Sequence, residues 1–396
     1  MSAATDKSEI SLPAGAAEPA LPGRRRSAPS GGSAVREVTS VGAHIFRQDV
    51  QSMHAYAIQE SSGLVKLDAM ENPHRLPVAL QAHLGQRLGA LALNRYPDGR
   101  INDLRKALAE HAGMPEGFDI MLGNGSDELI SLLAMACDVP GASILAPLPG
   151  FVMYGMSAQL QGLKFIGVPL TTEFELDEAA MLAAIAEHQP SIIYIAYPNN
   201  PTANLWDDAV IDKIIAAAPG LVVMDEAYQP FASRSYITRM AEQPGRYSHV
   251  LLMRTMSKFG LAGVRLGYMM GPKALIAEID KVRPPYNISV LNYECALFAL
   301  EHAAVFAEQA QDIRAQRTLL VDALRALPGV KTWKSDANMV LIRVVDAAKI
   351  FEGMRSCGVL VKNVSKMHPL LTDCLRLTVG TADENAQMLA ALKKSL

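Results

Sequence analysis

A single lysine, Lys258, stands in the stretch RTMSKFGLAGVRLGY (254–268), among small and apolar residues, and Arg265 follows seven positions later. A lone lysine after a buried strand is ordinarily a solvated surface charge. The flanks of this one argue for chemistry. Thr255 and Ser257 place two hydroxyls beside it, while Gly260 and Gly263 allow the backbone to approach a bound group closely. Arg265 offers the planar fork that clamps a phosphate. A lysine desolvated near a second cation loses proton affinity and becomes a nucleophilic amine, able to condense with a carbonyl.

Other stretches carry residue types that would complete such a site. In IMLGNGSDELISLLAMACD (120–138), Gly123 and Gly125 precede an apolar helix that opens at Ser126 and Asp127. Free N–H groups and the positive end of the helix dipole make that turn an anion site. A plain N-cap by Ser126 or Asp127 is the commoner use of such residues. Neither a GK[ST] ending nor a GxGxxG pattern is present, so the turn is not a nucleotide-binding loop of either kind. The apolar run LVVMD (221–225) ends in Asp225, with Tyr228 three residues beyond. YPNNPT (197–202) is a proline-flanked turn that carries Asn200, and PLPGFVMY presents Phe151.

These residues need a scaffold. Short apolar runs at 143–147, 164–170, 191–197, 221–225 and 249–255 read as strands. Helices are expected between them, over 151–162, 177–187 and 207–217. Such alternation implies a mostly parallel sheet buried on both faces, with ligands at the carboxyl ends of its strands. Residues Gly123–Asp127, Phe151, Asn200, Asp225, Tyr228 and Lys258 all fall at that edge. A long helical region over 289–327 leads to a second α/β layer, with strands near 330–334, 339–344, 358–362 and 374–379 and helices near 346–356 and 384–394. Helices are also expected over 78–92 and 102–111. Residues 1–40 are rich in Ala, Pro, Gly and Ser, and they are expected to be a disordered tail.

Composition bounds the rest. A chain of 396 residues, half of them hydrophobic, buries a large core. A net charge of −3 gives no electrostatic case for nucleic acid or an anionic membrane. The four cysteines are far apart, show no CxxC spacing and form no metal-like cluster with histidine; reduced thiols in a cytoplasmic protein with no metal are expected. No apolar run approaches the ~20 residues needed to span a bilayer.

Pyridoxal phosphate asks for what these stretches hold: a lysine for its aldehyde, an anion pocket, a carboxylate at its ring nitrogen, donors to its ring oxygen and a flat apolar wall. Lys258 would take the aldehyde and Asp225 the ring nitrogen. Tyr228 and Asn200 would reach the ring oxygen, and Phe151 would stack on the ring. The 123–127 turn, Thr255, Ser257 and Arg265 would take the phosphate.

In order, NRYP (94–97), GNGSDE (123–128), PLPGF (147–151), YPNNPT (197–202), MDEAY (224–228), SKFGLAGVRLGY (257–268) and CLRLTVGT (374–381) form a set. From about residue 50 to the C-terminus, the chain resembles the fold-type I, aspartate aminotransferase-like enzymes that use pyridoxal phosphate. Within that group it is most similar to the histidinol-phosphate aminotransferases. The resemblance implies an α/β fold with a large domain (76–300) built on a mostly parallel seven-stranded sheet and a smaller C-terminal α/β domain (301–396), to which an arm at 41–75 contributes. It implies transamination of L-histidinol phosphate with 2-oxoglutarate; an aromatic amino acid aminotransferase on the same scaffold is the alternative. Lys258, Asp225 and Tyr228 match catalytic positions. Tyr96, Ser126, Asp127, Phe151, Asn200, Thr255, Ser257 and Arg265 match cofactor positions. Tyr96 would reach the phosphate of a neighbouring subunit, which implies a homodimer. Arg376, Lys362 and Tyr56 match residues that hold the substrate anion.

Four departures from the family pattern bear on geometry. Ala203 stands where glycine is usual, which asks for a turn without positive φ or a strained one. Lys258 and Arg265 are one residue closer than is common. Met70 replaces an asparagine, and Lys362 replaces an arginine and so gives up bidentate contact.

Overall fold

The computed structural model describes residues 45–53 and 59–396. The chain divides into two units, Met1–Met53 and His54–Leu396. The described part of the first holds one short helix, Gln48–Ser52. The 1–40 tail and Tyr56 lie outside the described residues.

In the second unit a seven-stranded sheet runs Phe118–Gly123, Gly267–Pro272, Val250–Thr255, Leu221–Asp225, Ile192–Ala196, Ser143–Leu148, Lys164–Pro169. Gly267–Pro272 is antiparallel to both its neighbours, and the other pairings between adjacent strands are parallel. The sheet is thus mostly parallel, in an α/β arrangement. The central strands are continuous apolar runs because helices cover both faces. Every residue of Ile192–Ala196 and of Val250–Thr255 is buried. Alternate side chains then feed opposite cores: Leu252, Val222 and Ile193 pack on one side, Leu251, Val223 and Tyr194 on the other. The strand Gly267–Pro272 was not legible as an apolar run, since glycines occupy two of its six positions.

A second, antiparallel sheet runs Lys362–Asn363, Cys374–Thr378, Met339–Arg343, Lys331–Thr332. Helices Ala347–Ser356 and Ala382–Ser395 accompany it, the latter opened by a reciprocal capping box between Thr381 and Glu384. The expected strand over 358–362 divides: Val359–Leu360 pairs in parallel with Val65–Lys66, and Lys362–Asn363 pairs with Cys374–Thr378. The expected helical region over 289–327 consists of two helices, Val290–Glu301 and Ala303–Arg325, bent by 77° where His302 leaves helical geometry. Among the described residues no single helix is long and apolar enough to cross a membrane.

Candidate active site

A cavity of about 360 Å³ opens at the carboxyl edge of the large sheet. Its floor is built from strand ends. Asp225 is the last residue of Leu221–Asp225, and Lys258 lies three residues beyond the end of Val250–Thr255. Asn200 follows Ile192–Ala196, and Phe151 follows Ser143–Leu148. The structure brings Lys258, Asp225, Tyr228, Asn200, Phe151, Ser126, Asp127, Thr255, Ser257 and Arg265 to this one cavity.

The Lys258 ammonium donates to the carbonyl of Ala69 at 3.1 Å and lies 5.7 Å from the centre of the Tyr228 ring. Desolvation, helped by the Arg376 guanidinium, lowers its pKa to about 8. Asp225 is buried, and desolvation raises its carboxyl to about 6 despite two hydrogen bonds that favour the ionised form. Oδ2 accepts from the Tyr154 hydroxyl at 2.6 Å, and Oδ1 accepts from the Ala227 N–H at 3.1 Å. Burial pushes the Tyr228 phenol well up, so it remains a donor at neutral pH.

The turn at 123–125 leaves the helix Ser126–Ala136 without a side-chain cap. Ser126 and Asp127 therefore do not serve as the N-cap that their types allowed; Gly125, at φ 86°, holds that position. The first N–H groups of the helix remain available to an anion. Arg265 Nη2 lies 3.5 Å from Asp127 Oδ2, and Nη1 donates to Ser257 Oγ at 3.5 Å. Ser257 Oγ also accepts from Thr255 Oγ1 at 3.1 Å. Cation, hydroxyls and helix N-terminus converge as a phosphate requires. The short Lys258–Arg265 spacing is met by one wide turn over Ser257–Leu261, with Gly260 at φ 136°, and a tight turn over Ala262–Val264. A Cβ on Gly260 would lie 2.9 Å from Phe306, so this glycine is required, whereas one on Gly263 would meet nothing within 4 Å.

On the Asn200 turn, the peptide bonds before Pro198 and Pro201 are cis. Ala203 is fully buried at φ 66°, which makes the turn the strained of the two alternatives. Its N–H bonds the Asn199 carbonyl at 2.8 Å, and its carbonyl accepts from the Asp336 N–H at 2.7 Å. Arg376 Nη1 donates to Asn200 Oδ1 at 2.7 Å and Nη2 to the Asp68 carbonyl at 2.7 Å. A guanidinium only donates, so the Asn200 amide keeps its NH₂ group as a donor.

Two other expected residues lie elsewhere. Lys362 is opposite Arg376 in the strand register, but it lines a separate cleft with Phe351, Glu352 and Lys366. Tyr96 is 77% exposed and stacks on Tyr286, with ring centres 4.5 Å apart. Residues to which sequence reasoning assigned no role also line the cavity: Ala69 and Glu71, on either side of Met70, and Tyr154, hydrogen-bonded to Asp225. Glu71 is held by Lys66. The only signal for Tyr154 was its place three residues after Phe151, close to one helical turn.

Residues 62–392 match the family model for aminotransferase class I and II. A histidinol-phosphate aminotransferase of Polaromonas naphthalenivorans is 81% identical over 355 residues, covering 89% of this chain and 96% of the relative. A protein of the same name from Methylibium petroleiphilum is 71% identical, again over 89% of this chain and 94% of the relative. The crystal structure of histidinol-phosphate aminotransferase from Sinorhizobium meliloti in complex with pyridoxal-5'-phosphate superposes with a TM-score of 0.74 at 24% identity, covering 88% of this chain and 96% of that one.

Proposed function

Because this chain belongs to the class I and II aminotransferases, we propose that it transfers the amino group of L-histidinol phosphate to 2-oxoglutarate, as a cytoplasmic homodimer in histidine biosynthesis. The names of its relatives at 81% and 71% identity support the substrate. The observation that carries the chemistry is the pairing, in one cavity, of a lysine with a pKa lowered to about 8 and a buried strand-end carboxylate.

The residues fit pyridoxal phosphate. The uncapped helix at Ser126, with Asp127, Thr255, Ser257 and Arg265, would hold the phosphate; Phe151 would face the ring; Tyr228 and Asn200 would donate to the ring oxygen. When bound, the cofactor supplies an aldehyde and an electron-withdrawing ring. Asp225 supplies the negative charge that keeps a proton on the ring nitrogen. Lys258 would hold the cofactor aldehyde through its amine and would serve as the base for the proton at the substrate carbon. With a pKa of about 8, about a tenth of it is neutral at pH 7, against about 0.04% for an ordinary lysine. Arg376 would take the substrate anion, joined by Tyr56, whereas Lys362 borders a separate cleft and has no part in this reading. Tyr96 would serve the partner's phosphate site, and its exposed stack on Tyr286 supports a surface covered in a dimer. In this reading 76–300 acts as the cofactor domain and 301–396 as the small domain.

Rapid mixing of the cofactor-loaded protein with histidinol phosphate, and separately with phenylalanine, tests the reading. Fast loss of the cofactor absorbance band with histidinol phosphate and a far slower change with phenylalanine are expected. The reverse preference would make the protein an aromatic aminotransferase.

A further inference from the structure

Tyr154 has no part in the roles above, yet it is 2% exposed and borders the cavity. Its ring is fixed on two sides. It stacks on Tyr194 with centres 4.3 Å apart and planes at 7°, and it meets the Phe151 ring edge-on at 5.6 Å. That leaves the hydroxyl one position, 2.6 Å from Asp225 Oδ2. The other carboxylate oxygen is held by the Ala227 N–H. Both oxygens are thus tied, and the plane of the carboxylate is set before any ligand arrives.

The charges around Asp225 work against its ionisation. Desolvation comes first, and Asp127 and Glu226 add negative charge nearby. Tyr154 and the Ala227 N–H oppose them. The Tyr154 phenol is itself pushed far up by burial and by this carboxylate, so it always carries the proton of the bond. Without it, a proton shared between Asp225 and a ring nitrogen would move toward the carboxylate.

We propose that Tyr154 is a positioning residue, whose hydroxyl keeps Asp225 ionised and in a fixed plane so that the shared proton stays on the cofactor ring nitrogen. The inference rests on the pyridoxal phosphate reading above.

Tyr154→Phe tests it, because both ring contacts survive and only the hydroxyl is lost. In cofactor-free protein carrying ¹³C-labelled aspartate, with Asp225→Asn to assign the signal, the Asp225 titration midpoint is expected to rise by about one unit or more. In loaded protein, the ¹⁵N signal of labelled cofactor is expected to move from pyridinium toward free pyridine. Cofactor release is expected to quicken by about tenfold to a hundredfold. In an Asp225→Asn background, Tyr154→Phe should change release by less than about twofold, since the two act as one unit. An unchanged midpoint and ¹⁵N signal in Tyr154→Phe would overturn the proposal. So would an equal acceleration of release in both backgrounds, which marks a packing role. If the wild-type protein bound no cofactor, the underlying reading would fail and this one with it, while the cofactor-free titration would still report on the bond itself.

Discussion

Gly267→Ala puts the phosphate site to a geometric test. Gly267 pairs with Gly123 on one side and Thr255 on the other, so it lies between two segments that face the proposed phosphate. A Cβ there would sit 2.5 Å from the Ser126 amide nitrogen and 2.7 Å from the Gly125 carbonyl carbon. Both atoms are backbone, and no side-chain rotation relieves the contact. The φ of Gly267 is not in the left-handed region, so the cost is the contact alone. Restoring an ordinary separation of 3.4 Å moves the helix start by about 0.9 Å. Overpacking of this kind costs about 1–3 kcal/mol of stability. It also carries the Ser126 N–H from about 2.9 Å to about 3.8 Å from a phosphate oxygen, beyond hydrogen-bonding range. One charge-assisted bond is worth about 1.5–3 kcal/mol, so the cofactor Kd should rise about tenfold to 150-fold. Fluorescence titration of cofactor-free protein measures Kd, and thermal unfolding with and without cofactor separates affinity from stability. Gly245→Ala, whose Cβ meets nothing within 4 Å, is the control. A Gly267→Ala Kd within twofold of wild type would show that the phosphate does not lie against this turn.

The rate of cofactor capture by the free protein should rise tenfold per pH unit up to about 8 and then level, since the lowered Lys258 pKa frees the amine early; stopped-flow absorbance from pH 6 to 10 reads this, and a midpoint near 10 would refute it. Asp225 has its pKa raised on folding, to about 6. The sign for stability follows: folding favours the protonated form, so the penalty enters between about pH 4 and 6 and is full above, at about 3 kcal/mol. Asp225→Asn should therefore stabilise the cofactor-free protein at pH 8 and leave it nearly unchanged at pH 4, by thermal melts at the two values; equal effects would contradict the assignment. Ala203→Val places a β-branched side chain at φ 66° in a fully buried turn. It should cost about 2–4 kcal/mol in urea unfolding, where a loss under about 0.5 would show that the turn relaxes freely.

What could be read from residue types alone was the chemistry at strand ends. An apolar run terminating in Asp225, or in the hydroxyls and lysine of 255–258, carries its own meaning because a doubly covered sheet exposes little except its carboxyl edge. What could not be read depends on partners distant in the chain. Tyr154 looks like any helix residue until Asp225, seventy-one positions away, accepts a hydrogen bond from its hydroxyl. Lys362 reads as a partner of Arg376, and the register agrees, but it borders another cleft.

Backbone strain is the clearest case. Met70, Ala203 and Arg265 have φ of 51°, 66° and 56°, and none is a residue type that favours the left-handed region. Met70 and Arg265 line the cavity, and Ala203 closes the turn that presents Asn200. Each is held by other parts of the chain. The Met70 amide nitrogen is 3.0 Å from Thr378 Oγ1 and the Met70 carbonyl is bonded by Asn338, Ala203 is pinned by Asp336, and the Arg265 side chain is tied to Ser257 and Asp127. Strain of ~1–3 kcal/mol per residue persists only where the surroundings over-determine it, and it gathers where function demands a fixed backbone. Two of the bonds that impose it come from Asn338 and Asp336, beside the strand Met339–Arg343, and one from Thr378 at the end of Cys374–Thr378. The antiparallel sheet therefore does more than present Arg376: it holds the backbone of the cavity wall in the conformation that the bound groups require.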